Sequence, residues 1–252
     1  MARLDFSHKN LIVYLTAGIP SLAFLQKAIL HLQSCVDAIE IGVPYSDPVA
    51  DGPVIAHASQ LALEKGVNLD GILGAVKEIS AQVKIPLYLM SYYAPVYAYG
   101  QEKFVSNSRE AGIRGVILPD LNVDEGEGFY RFLSSEGLDA VLLVFPNTSE
   151  ERVKRIASVC GDFLYYVNFF GTTGERRDAF SFSLDRLRQV KEWSRKPVCA
   201  GFGVSDRKGY ERLSAVADGV IIGSAIMRRV LDAASEQDAL DQVMSFVREI
   251  RS

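Results

Sequence analysis

The stretch Ala38–Pro53, AIEIGVPYSDPVADGP, runs apolar residues up to a carboxylate and then breaks into a proline-rich loop carrying two more acids. With Val36 before it, the run Ala38, Ile39 and Ile41 reads as a buried strand, Ala38 to Gly42. Apolar character on both alternations suits a strand covered on two faces. Glu40 lies inside that run, where a charge is costly unless it is solvated, paired or neutralised. Pro44, Pro48, Gly52 and Pro53 exclude a helix directly after the strand and stiffen the loop that holds Asp47 and Asp51.

The same unit recurs outward along the chain: a short β-branched run, a loop with Gly, Pro or Asp, then an amphipathic helical pattern. Predicted strands are Leu11–Thr16, Ala38–Gly42, Pro86–Ser91, Gly115–Pro119, Ala140–Phe145, Phe163–Asn168, Pro197–Gly201 and Gly219–Ile222, eight in all. Helical patterns such as Phe24–Cys35, Leu69–Gln82, Glu125–Glu136, Glu150–Cys160 and Leu184–Trp193 lie between them. Eight βα units with no linker predict a closed (β/α)8 TIM barrel spanning residues 1–252 as one domain. No Gly-x-Gly-x-x-Gly follows the first strand, which argues against an open dinucleotide-binding sheet.

Composition narrows the function classes. The 252 residues are 48% hydrophobic and 23% charged, ordinary for a globular α/β protein, and the net charge of -4 offers no general attraction to nucleic acid or anionic membrane. Cys35, Cys160 and Cys199 are odd in number and set in apolar segments, the pattern of reduced thiols in a cytoplasmic protein. His8, His31 and His57 form no metal-ligand spacing, and the polar N-terminus reads as neither signal peptide nor membrane span.

A barrel places every C-terminal strand end at one mouth, so Glu40 becomes a candidate catalytic residue by location. Asp51 joins it, since two carboxylates in different environments can serve as separate proton carriers; Asp47, ahead of Pro48, reads as a turn former. Phosphate recognition is expected after strands seven and eight, at Ala200–Ser205 (AGFGVS) and Ile222–Ile226 (IGSAI), where bare glycine backbone and a helix start expose amide N–H groups. Gly171–Gly174 (GTTG), with residues 175–182, is long enough to act as a lid.

These residues resemble the tryptophan synthase α subunit family, and the Glu40–Pro53 string looks like that family's signature with hardly a change. The resemblance implies a TIM barrel that cleaves indole-3-glycerol phosphate to indole and glyceraldehyde 3-phosphate. It implies no metal or organic cofactor in this chain, and a β-subunit partner that holds pyridoxal phosphate in an α2β2 assembly. It matches Glu40 to the family's general acid/base and Asp51 to the acid at the indole ring nitrogen. Tyr165 and Phe202 match substrate contacts, and Gly174, Gly203, Gly223 and Ser224 match phosphate-binding positions. Thr173 matches the lid threonine. Tyr92 and Tyr93 stay open between core, pocket wall and partner surface.

Departures fall at Asn168-Phe169-Phe170, where the family usually has Ser-Arg-x, at Ala94 in place of Asn, and at Asn122 in place of Pro. Losing a guanidinium at Phe169 predicts a weaker lid or weaker phosphate neutralisation. Two expectations from different classes follow: a working lyase, or an impaired α subunit that mainly docks on and activates the β subunit. A third, another phosphate-binding barrel such as a sugar-phosphate isomerase, fits the long signature poorly.

Overall fold

The computed structural model describes residues 2–167, 176–201 and 203–252, with residues 176–183 described by backbone alone. Its strands are β1 (Asn10–Thr16), β2 (Ala38–Gly42), β3 (Leu87–Met90), β4 (Gly115–Ile117), β5 (Asp139–Val141), β6 (Leu143–Val144), β7 (Leu164–Val167), β8 (Val198–Gly201) and β9 (Gly219–Ile222). All pair in parallel, in the order β5-β4-β3-β2-β1-β9-β8-β7-β6. The two ends of this sheet are pieces of one extended segment broken only at Leu142. Tyr165 donates its backbone N–H to the Leu142 carbonyl at 2.9 Å, so the sheet closes on itself as an eight-stranded barrel.

Side chains sort to the two faces by the period of two expected of strands. Ile12, Ala38, Tyr88, Ile117, Val141, Tyr165, Cys199 and Ile221 fill the barrel interior. Leu11, Val13, Ile39, Ile41, Leu89, Val116, Val220 and Ile222 pack outward under the helices. This two-sided burial is why the strands read as unbroken apolar runs. The helices are α1 (Leu22–Leu32), α2 (Pro53–Glu64), α3 (Leu69–Ile79), α4 (Tyr93–Tyr99), α5 (Gln101–Glu110), α6 (Val123–Ser135), α7 (Glu150–Val159), α8 (Arg176–Ser194), α9 (Arg207–Ser214), α10 (Ser224–Asp232) and α11 (Glu236–Arg251).

Local chemistry sets their ends. Ser21, Asn68, Asn122, Ser149, Asp206 and Ser235 each accept a first-turn backbone N–H of the helix they precede. Asn122 also donates to Glu125 Oε2 at 2.7 Å, so the departure from Pro at this position produces a capping interaction for α6. Pro53 opens α2 at a position whose N–H has no intrahelical partner, which is how a helix can start at the end of the proline-rich loop. Helix α8 starts at Arg176, eight residues before the predicted Leu184; most of the segment expected to extend the lid, 175–182, is therefore helical.

The N-terminal end of the barrel is sealed by charge and aromatic packing. The buried Arg114 guanidinium donates to both carboxylate oxygens of Asp162, at 2.9 Å each, and pairs with Asp139. Tyr88 donates its hydroxyl to Asp162 at 3.0 Å and sets its ring edge-on to Phe163. These contacts leave the opposite, C-terminal end as the open one.

Candidate active site

At the open mouth, Tyr14 of β1 and Glu40 of β2 are register partners, so both side chains take the same face of the sheet. They line a cavity of about 490 Å³ together with Asp51, Met90, Tyr165 and Ser224. Two glycines make room for the tyrosines. A Cβ at Gly42 would overlap the Tyr14 hydroxyl, and one at Gly201 would overlap the Tyr165 ring.

Glu40 is 1% exposed, and neither carboxylate oxygen has a hydrogen-bond partner among the described residues. Burial, with a smaller push from the Asp51 charge, raises its pKa to about 8. Asp51 is also raised by burial, to about 6, against the lowering effect of a side-chain hydrogen bond with Tyr92. Tyr92 in addition accepts the Ala50 backbone N–H at 2.9 Å, and Asp51 donates its own N–H to the Pro48 carbonyl at 3.0 Å. One buried phenol thus pins the loop that presents Asp51. Near neutral pH the proton sits on Glu40 while Asp51 is mostly ionised, a division of states suited to two different roles.

Around these acids the cavity changes character. On one side Met90 and Tyr165 are shared with an adjoining chamber of about 220 Å³ walled by Ile117, Leu143, Phe145 and Val167. On the other side stand Gly203, Ser205, Gly223 and Ser224. Gly203 has φ +84°, a conformation that favours glycine. Helix α10 begins at Ser224 with Gly223 as its N-cap and no side-chain capping bond. Its first-turn amides, left without a side-chain acceptor, can meet an anion.

Glu40, Asp51, Tyr165, Gly203, Gly223 and Ser224 therefore line one cavity. Thr173, Gly174 and Phe202 lie outside the described residues, as do Asn168, Phe169 and Phe170. Asp47 is exposed in the loop, in keeping with its reading as a turn former. Of the two unassigned tyrosines, Tyr92 serves Asp51, whereas Tyr93 donates its backbone N–H to Asp120 and packs on Tyr97 and Phe129. Sequence reasoning missed Tyr14. Its signal was available as an aromatic two residues before the end of β1, facing a glycine two residues beyond Glu40.

The family model described as tryptophan synthase alpha chain matches residues 2–252. The chain belongs to the tryptophan synthase alpha chain family. The tryptophan synthase alpha chain of Petrotoga mobilis is 40% identical over 246 residues, covering 96% of this chain and 95% of the relative. That of Arabidopsis thaliana is 37% identical, covering 100% and 92%. Among solved structures, a chain of the tryptophan synthase a2b2 complex from Pyrococcus furiosus superposes with a TM-score of 0.89 at 35% identity, covering 96% of this chain and 97% of that one. Tryptophan synthase alpha chains are carbon–carbon lyases that cleave indole-3-glycerol phosphate. Among the described residues, no helix is long and apolar enough to cross a membrane, and no cluster of His, Cys, Asp or Glu could hold a metal ion.

Proposed function

We propose that this chain performs the family's cleavage of indole-3-glycerol phosphate at the Glu40–Asp51 cavity, with the indole ring toward the apolar chamber and the phosphate at Gly203, Gly223 and Ser224. The observation that carries the reading is a buried, unpartnered carboxyl raised to about 8, facing a second carboxylate across a cavity graded from apolar wall to open amides. The reaction moves one proton and breaks one carbon–carbon bond. Glu40 donates its proton to indole C3 while Asp51 accepts a hydrogen bond from the ring N–H, where positive charge develops. The glycerol hydroxyl then returns a proton to Glu40 as its carbon becomes the aldehyde, and indole leaves. Glu40 ends as it began, so proton transfer accounts for the chemistry with no cofactor in this chain.

Tyr165 supplies the wall where chamber and cavity meet, and Tyr14 fixes the width of the mouth beside Glu40. Thr173, Gly174 and Phe202 enter this proposal through the family resemblance alone. The partner is a β subunit, by analogy with the Pyrococcus furiosus a2b2 complex, and its pyridoxal phosphate enters through the family resemblance alone. Three free thiols support a reducing, cytoplasmic setting. Indole release from indole-3-glycerol phosphate by the purified chain, alone and with its β subunit, tests the proposal. Release in both conditions, faster in the complex, is expected. No release in either, with β-subunit turnover still stimulated, would leave only a docking role.

A further inference from the structure

A substrate phosphate seated at the start of α10 meets backbone amides and a helix end worth roughly half a unit charge. That is less than the dianion carries, and Glu40 and Asp51 share the same cavity. The nearest stretches, NFFGTTGE at 168–175 and GFGVS at 201–205, contain no Lys or Arg, and the next cations along the chain, Arg176 and Arg177 at the start of α8, have side chains outside the described residues. Two arginines, Arg228 and Arg229, line the cavity from α10. Arg229 is already committed. Its guanidinium lies 3.7 Å from the centre of the Phe246 ring and donates to the Ala225 carbonyl at 2.7 Å.

Arg228 is exposed, and no hydrogen bond or ion pair engages its guanidinium among the described residues. It stands one helical turn after Ser224, and helical side chains lean toward the N-terminal turn, which aims it back at the phosphate position. Its other neighbours, His57, Leu61 and Asp232, border a separate groove on the far side, and Asp232 makes no ion pair with it. A planar fork of five donors suits a phosphate that the amides approach from the opposite direction.

We infer that Arg228 supplies positive charge to the substrate's phosphate, acting from outside the mouth on a group whose other face is held by Gly223 and Ser224. This rests on the proposed reading of the cavity. The test uses the full chain as wild type, R228A and R228K, assayed on indole-3-glycerol phosphate and on dephosphorylated indole-3-glycerol, with calorimetric titration of sn-glycerol 3-phosphate alongside.

R228A should raise KM for the phosphorylated substrate about tenfold with kcat held within about twofold, and weaken sn-glycerol 3-phosphate about tenfold, the size of one good charge-assisted contact. R228K should recover most of both. Turnover of the dephosphorylated substrate should not change. Unaltered KM and unaltered titration in R228A, or equal losses on the two substrates, would overturn the assignment. If wild type releases no indole, the lyase reading falls, and the titration alone still decides whether Arg228 holds a phosphate.

Discussion

Glu40→Gln is expected to lower indole release by about 10³-fold or more while making the protein more stable above neutral pH. The loss follows because, in the proposed reaction, one carboxyl both delivers the proton to C3 and takes the proton from the hydroxyl, and general acid–base steps are each worth about 10²–10⁴-fold. An amide of the same shape can do neither. The gain in stability follows from the raised pKa. An unfolded Glu40 ionises near its ordinary 4.5, the folded one near 8. The folded state therefore keeps its full stability below pH 4.5 and loses it progressively as the pH rises to about 8. Gln carries no such dependence, so thermal melts of the two proteins should coincide near pH 4 and separate by about 5 kcal/mol near pH 9. A variant that is inactive but no more stable at high pH would mean that Glu40 is solvated, not held neutral by burial.

Asp51→Asn is expected to cut kcat by roughly 10²- to 10³-fold with KM little changed, since the lost interaction grows only as positive charge builds on the ring nitrogen. The loop should stay in place, because the Tyr92 hydroxyl can bond an amide oxygen as well as a carboxylate, and Ala50 still reaches Tyr92. The substitution should also reach Glu40. The Asp51 charge is the second cause of the raised Glu40 pKa, so its removal should let Glu40 ionise at lower pH. Titration of the Glu40 carboxyl by NMR in wild type and variant reads this directly; identical midpoints would show that the two acids do not sense each other.

Much of this site is legible in the amino-acid sequence alone. The continuous apolar strands predict burial on both faces, and eight of them with intervening helices leave a barrel as the economical closure. Glu40 stands out because it interrupts such a run. The broken strand at Leu142 is not legible, because the apolar stretch Ala140–Phe145 gives no local sign that pairing changes partner within it. Tyr14 and Tyr92 escape a sequence reading as site residues for a related reason. An aromatic near a strand end is as suited to a core as to a pocket, and what separates the two cases for Tyr14 is register with Glu40 and the space left by Gly42. Arg228 reads in sequence as one more charge on an amphipathic helix. Only the commitment of Arg229 to Phe246 distinguishes them.

Asn122 shows the opposite limit. Set against the family it looks like a loss at a functional loop, yet it caps α6 through Asp124 and Glu125. A departure from a family pattern is informative only when the contact that replaces it is known.

If Glu40 works from its protonated form, the pH dependence of kcat/KM for indole release must follow its ionisation. Above pH 7 the substrate phosphate is fully ionised in effect, so the basic limb reports the enzyme alone. A fall of about tenfold per pH unit is expected above a midpoint near 8, where burial places the Glu40 pKa. A rate that stays level to about pH 10 in a protein that remains folded would rule out a protonated Glu40 as the working form.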